Sequence, residues 1–333
     1  MIVPPTPEYI ATAADLLRAG ELVGMPTETV YGLAADALNP EAVGRIFAAK
    51  GRPADHPLIV HLPDAEHLPR WASDIPREAL ALAKAFWPGP LTLILKRDPC
   101  VPDEVTGGQD TVGVRVPGHP VALALLRAFD SGVAAPSANR FGRISPTTAA
   151  HVADELGERV AMVLDGGACA VGIESTILDL SGSAPRVLRP GAISAADIAA
   201  VIGRWPSSAN HSATPPEGTP RVSGSLAAHY APSTPLRLLP PQALDAALDS
   251  AVAVGRRVAV LSVAGNGQAR ADVRAWLDAP ADARGYAHDL YANLRTLDGL
   301  GADLLLVTMP PDGPEWDAVL DRLRRAAVGS GQD

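Results

Sequence analysis

Apolar and polar positions change period several times along the chain, and each change predicts an element. Ile10, Ala14 and Leu17 recur at helical spacing behind Thr6, which can cap the first turn, with Pro7 inside it and Gly20 as the stop. The apolar run ELVGM, Glu21 to Met25, predicts a strand that leads into PTETVYGL, Pro26 to Leu33. A helix is predicted from about Pro40 to Lys50, closed by Gly51, and HPLIVHL, His56 to Leu62, predicts a strand bounded by prolines. LTLILKR and TVGVRV predict further strands, HPVALALLRAF a helix, GVAA a short buried strand, and AMVLDGG and ESTILDL two more. Strands and helices are interleaved, which makes the chain α/β with a mostly parallel or mixed sheet rather than an all-β barrel.

Near Trp205 the texture changes. Residues 205–235 carry six prolines, at 206, 215, 216, 220, 232 and 235, and almost no periodic apolar signal, which describes a stiff, extended linker. Beyond it, PLRLL and RVAVLSV read as strands separated by a helix from about Gln242. Helices are predicted near Ala269 to Leu277 and Gly285 to Leu297, then a strand at DLLLV and a last helix through Arg325. The chain therefore divides into residues 1–204, a linker over 205–235 and a smaller βα-alternating unit over 236–333, with no fixed-period repeat.

Composition narrows the function. With 333 residues, 47% of them hydrophobic, there is enough apolar material for two ordinary domains. The net charge of -9 excludes a polyanion binder held by bulk electrostatics, so any tRNA contact is weak and local. Two cysteines, Cys100 and Cys169, stand far apart and outside any C-x-x-C pair, so neither a disulfide framework nor a zinc site is expected; both read as buried or inert thiols. The start of the chain has no basic and apolar leader, and no window reaches the roughly 18 uninterrupted apolar residues of a membrane span, so a cytoplasmic protein without a membrane segment is expected.

No P-loop and no G-x-G-x-x-G after a strand occur, and GGACAVGIEST, Gly166 to Thr176, lacks the P-loop lysine. The chain offers instead polar residues at predicted strand and helix ends: Thr27, Thr29, Lys50, Arg52, His56, His61, Ser137, Asn139, Ser175, Thr176 and Arg189. Ligands of open α/β sheets bind at such ends, and a cationic, hydroxyl-rich set suits an anion carrying phosphates. Each residue also has a plainer reading. Ser145 before Pro146 reads as the N-cap of a helix over PTTAAHVADELG, a place that also binds phosphate. Lys50 and Arg52 can complement a helix dipole. His56 and His61, five apart on one strand, point to opposite faces and do not share a metal. Arg115, between two valines in a predicted strand, is harder to reduce to surface chemistry, because a buried arginine needs an anion or a carboxylate.

PTETVYGL, AKGRPADHPLIVHL, WPGPLTLIL, DTVGVRVPGHP, AAPSANRFGRISPT, VGIESTILDL, VLRPGAI and HYAPSTPLRL, in that order, resemble the threonylcarbamoyl-AMP synthase family in its long form. The resemblance implies a YrdC-type twisted mixed sheet with helices, a linker, and a smaller Rossmann-like α/β C-terminal domain. It implies condensation of L-threonine, bicarbonate and ATP, with Mg²⁺, into threonylcarbamoyl-AMP and pyrophosphate. A separate tRNA threonylcarbamoyl transferase would then receive the adenylate. Carried over by motif, Thr27, His61, Arg115, Ala135 and Ser175 would hold threonine. Lys50, Arg52, His56, Thr111, Ser137, Asn139, Ser145 and Arg189 would hold ATP, with Lys50 and Arg52 as the catalytic cations and Tyr230 closing over the nucleotide. In this resemblance Thr29 and Tyr31 shape the turn at the threonine pocket and Gly32 lets the chain bend. Two rivals are a binder of double-stranded RNA or tRNA, opposed by the net charge, and a carbamoyl-transfer enzyme, opposed by the linker and HYAP.

Overall fold

The computed structural model describes residues 1–208, 218–263 and 270–331. The chain forms two units. The first comprises Met1–Phe141, Pro146–Ala170 and Glu174–Ser225, and the second comprises Gly142–Ser145, Val171–Ile173 and the chain from Leu226 onward. The segment expected as a linker is thus divided: 218–225 belongs to the first unit, 226–235 to the second, and the proline pair at 215 and 216 lies outside the described residues.

In the first unit the strands are β1 (Ile2–Val3), β2 (Val23–Met25), β3 (Gly32–Asp36), β4 (Ile59–His61), β5 (Leu91–Lys96), β6 (Thr111–Arg115), β7 (Val133–Ala134), β8 (Met162–Leu164), β9 (Thr176–Asp179), β10 (Arg186–Arg189) and β11 (Ser207–Ser208). They form one mixed sheet in the order β1-β8-β2-β3-β7-β4-β6-β5-β9-β10-β11. The helices are α1 (Pro7–Arg18), α2 (Pro40–Lys50), α3 (Arg77–Phe86), α4 (Asp103–Thr106), α5 (Pro120–Phe129), α6 (Ala149–Leu156) and α7 (Ala195–Ile202). Alternation along β3 divides the interior: Leu33 and Ala35 enter a core with Tyr31, Ile46 and Val114, whereas Ala34 joins Leu17, Met25 and Leu125.

Where capping signals are local, the elements begin and end as predicted. The Thr6 hydroxyl accepts from the Tyr9 amide at 3.4 Å, and α2 runs from Pro40 to Lys50 behind Asn39. Gly51 closes α2 in the left-handed region at φ 63°, which suits a residue without Cβ. Three expectations fail. Ser145 is not a cap: α6 begins at Ala149, and the Thr148 hydroxyl accepts from the His151 amide at 3.3 Å. The stretch before it is extended because the Pro146 and Thr147 carbonyls accept from the Tyr31 and Cys169 amides. Gly32 does not bend the chain but opens β3, pairing with Met25. An added Cβ there would lie 3.1 Å from the Ala135 Cβ, so glycine permits this close approach. The predicted strand over HPLIVHL shortens to β4, with His56 in the turn before it.

The second unit is a four-stranded parallel sheet in the order β12-β15-β13-β14, made of β12 (Leu236–Leu239), β13 (Val258–Val263), β14 (Ala275–Ala279) and β15 (Leu304–Thr308). Its helices are α8 (Leu244–Ala253), α9 (Ala283–Asp298) and α10 (Asp317–Gly329), and Leu248, Val260 and Leu306 lie in its core. The helix expected near Ala269 to Leu277 is a correction: Ala269 lies outside the described residues, and Ala275–Ala279 is an edge strand parallel to β13. The helical spacing of Val273, Trp276 and Leu277 is overridden by pairing to β13. No helix among the described residues is long and apolar enough to cross a membrane.

Replacing Thr148 by alanine is expected to lower unfolding stability by about 1 kcal/mol through loss of the α6 cap. The measurement is the urea midpoint at unchanged m-value.

Candidate anion-binding site

Arg115 ends β6 beside the last residue of β4, because the two strands pair in parallel with His61 opposite it. Burial of a guanidinium requires compensation, and three groups supply it. Nε donates to the Gly89 carbonyl at 3.2 Å, Nη1 donates to the Thr29 hydroxyl at 3.0 Å, and Nη2 pairs with Glu28 Oε1 at 2.6 Å. Glu28 and Thr29 lie inside PTETVYGL, so that polar run is the partner a buried strand arginine needs. The Thr27 hydroxyl donates to the Val30 carbonyl at 2.6 Å and accepts from the Thr29 and Val30 amides at 3.2 Å, which stiffens the loop. Tyr31 donates its hydroxyl to the Gly167 carbonyl at 2.8 Å. Ala135, just beyond β7, donates its amide to the Ile59 carbonyl at 3.1 Å. Burial and the Arg115 guanidinium push the His61 pKa down to about 3, so its imidazole is neutral.

A second group gathers at the end of α2. The Lys50 ammonium, buried, donates to the Ser137 carbonyl and to the Asn139 carbonyl at 2.5 Å. The Lys50 carbonyl accepts from the Phe141 amide, so one residue holds the 137–141 loop at both ends of its own structure. Burial, and then the neighbouring Arg52, push the lysine pKa down. Arg52 donates to the Pro57 carbonyl at 2.9 Å and to the Ser223 hydroxyl at 3.1 Å. Its guanidinium lies 6.0 Å from the centroid of Phe141, and His56 meets the same ring edge-on at 5.3 Å. Burial and Arg52 lower the His56 pKa.

The third group is Ser175 and Arg189. Ser175 sits before β9 with its hydroxyl 2.8 Å from that of Thr92. Arg189 donates to the Ser175 carbonyl at 3.1 and 2.9 Å and to the Ser223 carbonyl at 3.0 Å. Ser223 therefore joins the second group to the third. Register places residues of the first and third groups on a sheet face, not only at strand ends. His61 pairs with Arg115, Gly113 with Ile94, and Thr92 with Ile177, so alternation puts these on one side, and Arg189 stands opposite Ile177 just past a register shift in β10. Thr111, which opens β6, belongs to the same alternating set as Gly113 and Arg115. Val222 packs over this face against Ile94, Ile177 and Leu188.

Ser145 and Tyr230 belong to the second unit. Ser145 is fully buried and its carbonyl accepts from Arg295 Nε at 3.4 Å. Tyr230 adopts a left-handed backbone at φ 60°, stacks on Tyr291 with centroids 5.7 Å apart, and lies 5.2 Å beneath the Arg322 guanidinium. Sequence reasoning missed Glu28 and Ser223. The signal for Glu28 was present, as a carboxylate within a motif that follows a strand; Ser223 had none. Among the described residues no group of three or more His, Cys, Asp or Glu side chains is placed to hold a metal ion. Cys169 is buried, with its thiol pushed up to about 12 by burial first, and Cys100 is exposed, donating to the Arg70 carbonyl.

This is a two-unit α/β protein whose first unit buries Lys50, Arg52, Arg115 and Arg189 beside hydroxyls, a set whose chemistry suits anions. A family model described as telomere recombination (Sua5_yciO_yrdC) matches residues 15–191, and one described as threonylcarbamoyl-AMP synthase, C-terminal domain, matches residues 193–328. Threonylcarbamoyl-AMP synthase of Bacillus subtilis is 42% identical over 96% of this chain and 93% of its own length. That of Schizosaccharomyces pombe is 36% identical over 98% and 90%. Pyrococcus abyssi Sua5 complexed with L-threonine superposes with a TM-score of 0.92 at 37% identity, covering 99% of this chain and 98% of that one. A variant of the same archaeal protein, with an adjacent histidine and tyrosine replaced by alanine, gives 0.91 at 36% identity, covering 99% and 97%. The chain belongs to the threonylcarbamoyl-AMP synthase family, which is a family of enzymes.

Glu28→Ala leaves the Arg115 charge without its carboxylate and is expected to destabilise the protein by about 3 kcal/mol, measured by denaturant titration. Because the folded pKa of His61 is depressed, its contribution is complete above the unfolded value and is lost as pH falls toward about 3. His61→Gln is expected to flatten the decline of stability between about pH 6.5 and 3, and nitrogen NMR of the native protein at pH 5 should show a neutral ring.

Proposed function

We propose that this chain acts as a nucleotidyltransferase, condensing L-threonine, bicarbonate and ATP into threonylcarbamoyl-AMP with release of pyrophosphate, in the cytoplasm, for tRNA modification. The observation that carries the reading is the burial of Lys50, Arg52, Arg115 and Arg189 together on the first unit, a set suited to bringing anions together. Threonine's amine and bicarbonate form an N-carboxylate with loss of water. One of its oxygens bonds to the α-phosphorus of ATP while the α–β phosphoanhydride bond breaks and its electron pair leaves with pyrophosphate. Two anions approach each other in that step, so fixed cations lower its barrier.

Arg115 offers N–H groups beyond its contacts with Gly89, Thr29 and Glu28, and these would receive the threonine carboxylate. Glu28 fixes the fork beforehand. A His61 pKa near 3 makes the ring a poor base, so its task is to hydrogen-bond threonine beside Thr27, Ala135 and Ser175. Lys50 and Arg52 would meet the phosphates, with His56, Thr111, Ser137, Asn139, Ser145 and Arg189 completing the nucleotide site. Magnesium would arrive with the phosphate oxygens of ATP and supply charge neutralisation there; among the described residues no group of three or more His, Cys, Asp or Glu side chains is placed to hold it. The product is a mixed anhydride that water cleaves, so a strap carrying Val222, Ser223 and Tyr230 would exclude water until a separate transferase receives it.

Purified protein is expected to release pyrophosphate from ATP only when L-threonine and bicarbonate are both present, and far less with L-serine. Lys50→Ala or Arg115→Ala should reduce the rate by about 100-fold or more. Pyrophosphate release independent of threonine, or its absence from folded protein, would sink this reading, and salt-sensitive tRNA binding without turnover would replace it.

A further inference from the structure

Helix α9 of the second unit carries His288, Tyr291, Arg295 and Asp298, spaced three, four and three apart and therefore along one face. Each meets a segment that the chain brings from elsewhere within the same unit. Gly172, at φ 82°, lies so close to α9 that an added Cβ would be 2.3 Å from the His288 carbonyl oxygen. Tyr291 stacks on Tyr230. Arg295 donates to the carbonyls of Ile144 and Ser145. The Asp298 carboxylate accepts from the amides of Ser233 and Thr234, both at 2.8 Å, and lies 3.5 Å from Arg143 Nη2. Two of these segments also bond to each other, the Ala231 amide donating to the Gly142 carbonyl at 2.8 Å.

All three segments are continuous in the chain with residues of the site. Gly142–Ser145 follows Ser137 and Asn139 and contains Ser145, Val171–Ile173 precedes Ser175, and 229–234 contains Tyr230. We infer that α9 is a positioning splint, with Asp298 and Arg295 holding the segments that carry Ser145 and Tyr230, two residues assigned to ATP, as one piece. The inference rests on the synthase reading above. Its physical basis is that charge-assisted bonds to backbone amides and carbonyls fix a loop's path without contacting ligand. Through geometry alone the second unit would preset the two residues of its own, Ser145 and Tyr230, that are proposed to meet ATP.

The experiment is steady-state kinetics of threonine-dependent pyrophosphate release with the full chain carrying Asp298→Ala, Tyr230→Ala or both, alongside hydrogen exchange of the 142–145 and 229–234 amides. Asp298→Ala is expected to raise the KM for ATP about tenfold with kcat changed less than about threefold, and to speed exchange in both segments. In the Tyr230→Ala background the same substitution should add less than about twofold, a non-additivity that general loosening would not produce. If Asp298→Ala does not fold, Asp298→Asn, which keeps one acceptor oxygen, should shift KM in the same direction by less. An unchanged KM for ATP beside an active wild type overturns the splint alone, as do independent effects of the two substitutions. A wild type without threonine-dependent release overturns the synthase reading and the splint with it.

Discussion

A guanidinium buried in a sheet must be compensated where it lies, and the organisation of the first unit follows from how Arg115 is compensated. Its ion pair with Glu28 and its bond to Thr29 draw the loop after β2 onto the end of β6. That same loop is stiffened by the Thr27 hydroxyl and held below by Tyr31. Burial, and then that charge, keep His61 neutral. In the threonine-binding role proposed for it, a rigid, pre-paired arginine beside an uncharged imidazole would not reorganise when a carboxylate arrives, which is the condition under which electrostatic recognition is most effective.

The remaining cations are held by backbone carbonyls. Lys50 donates to Ser137 and Asn139, Arg52 to Pro57, and Arg189 to Ser175. Carbonyl oxygens orient these side chains by accepting their N–H groups. Ser223 then links Arg52 with Arg189, so the segment of Val222 and Ser223 is tied to the groups that would carry the phosphates. Glu28 is placed where an amino-acid carboxylate rather than a polyphosphate is proposed to bind.

Much of this was legible in the residues. Both ends of α2 were, because Pro40, Lys50 and Gly51 act on their own turn of helix, and so were the strands whose apolar runs are bounded by turn residues. The boundary of α6 was not, since Ser145 and Thr148 are equally good caps in isolation and the choice is made by Tyr31 and Cys169, which hold the intervening residues extended. GLAAD has no strong strand signal of its own and becomes β3 through pairing with β2 and β7. ADVRAWLD carries helical spacing and becomes β14 because β13 offers it an open edge.

The site divides in the same way. Which chemical types are on offer to a ligand, Lys50, Arg52, Arg115, Ser175 and Arg189 among them, was determined by the sequence itself, since residue type states what a side chain can donate or charge. Which partner each one has was decided only by tertiary structure: Glu28 for Arg115, Ser223 for Arg52 and Arg189, and α9 for the segments around Ser145, Ser175 and Tyr230. Local propensity acts over a few residues, whereas these partners are separated by tens to more than a hundred positions. They meet because a mixed sheet brings distant strands into register, and a buried charge accepts only the arrangement that compensates it.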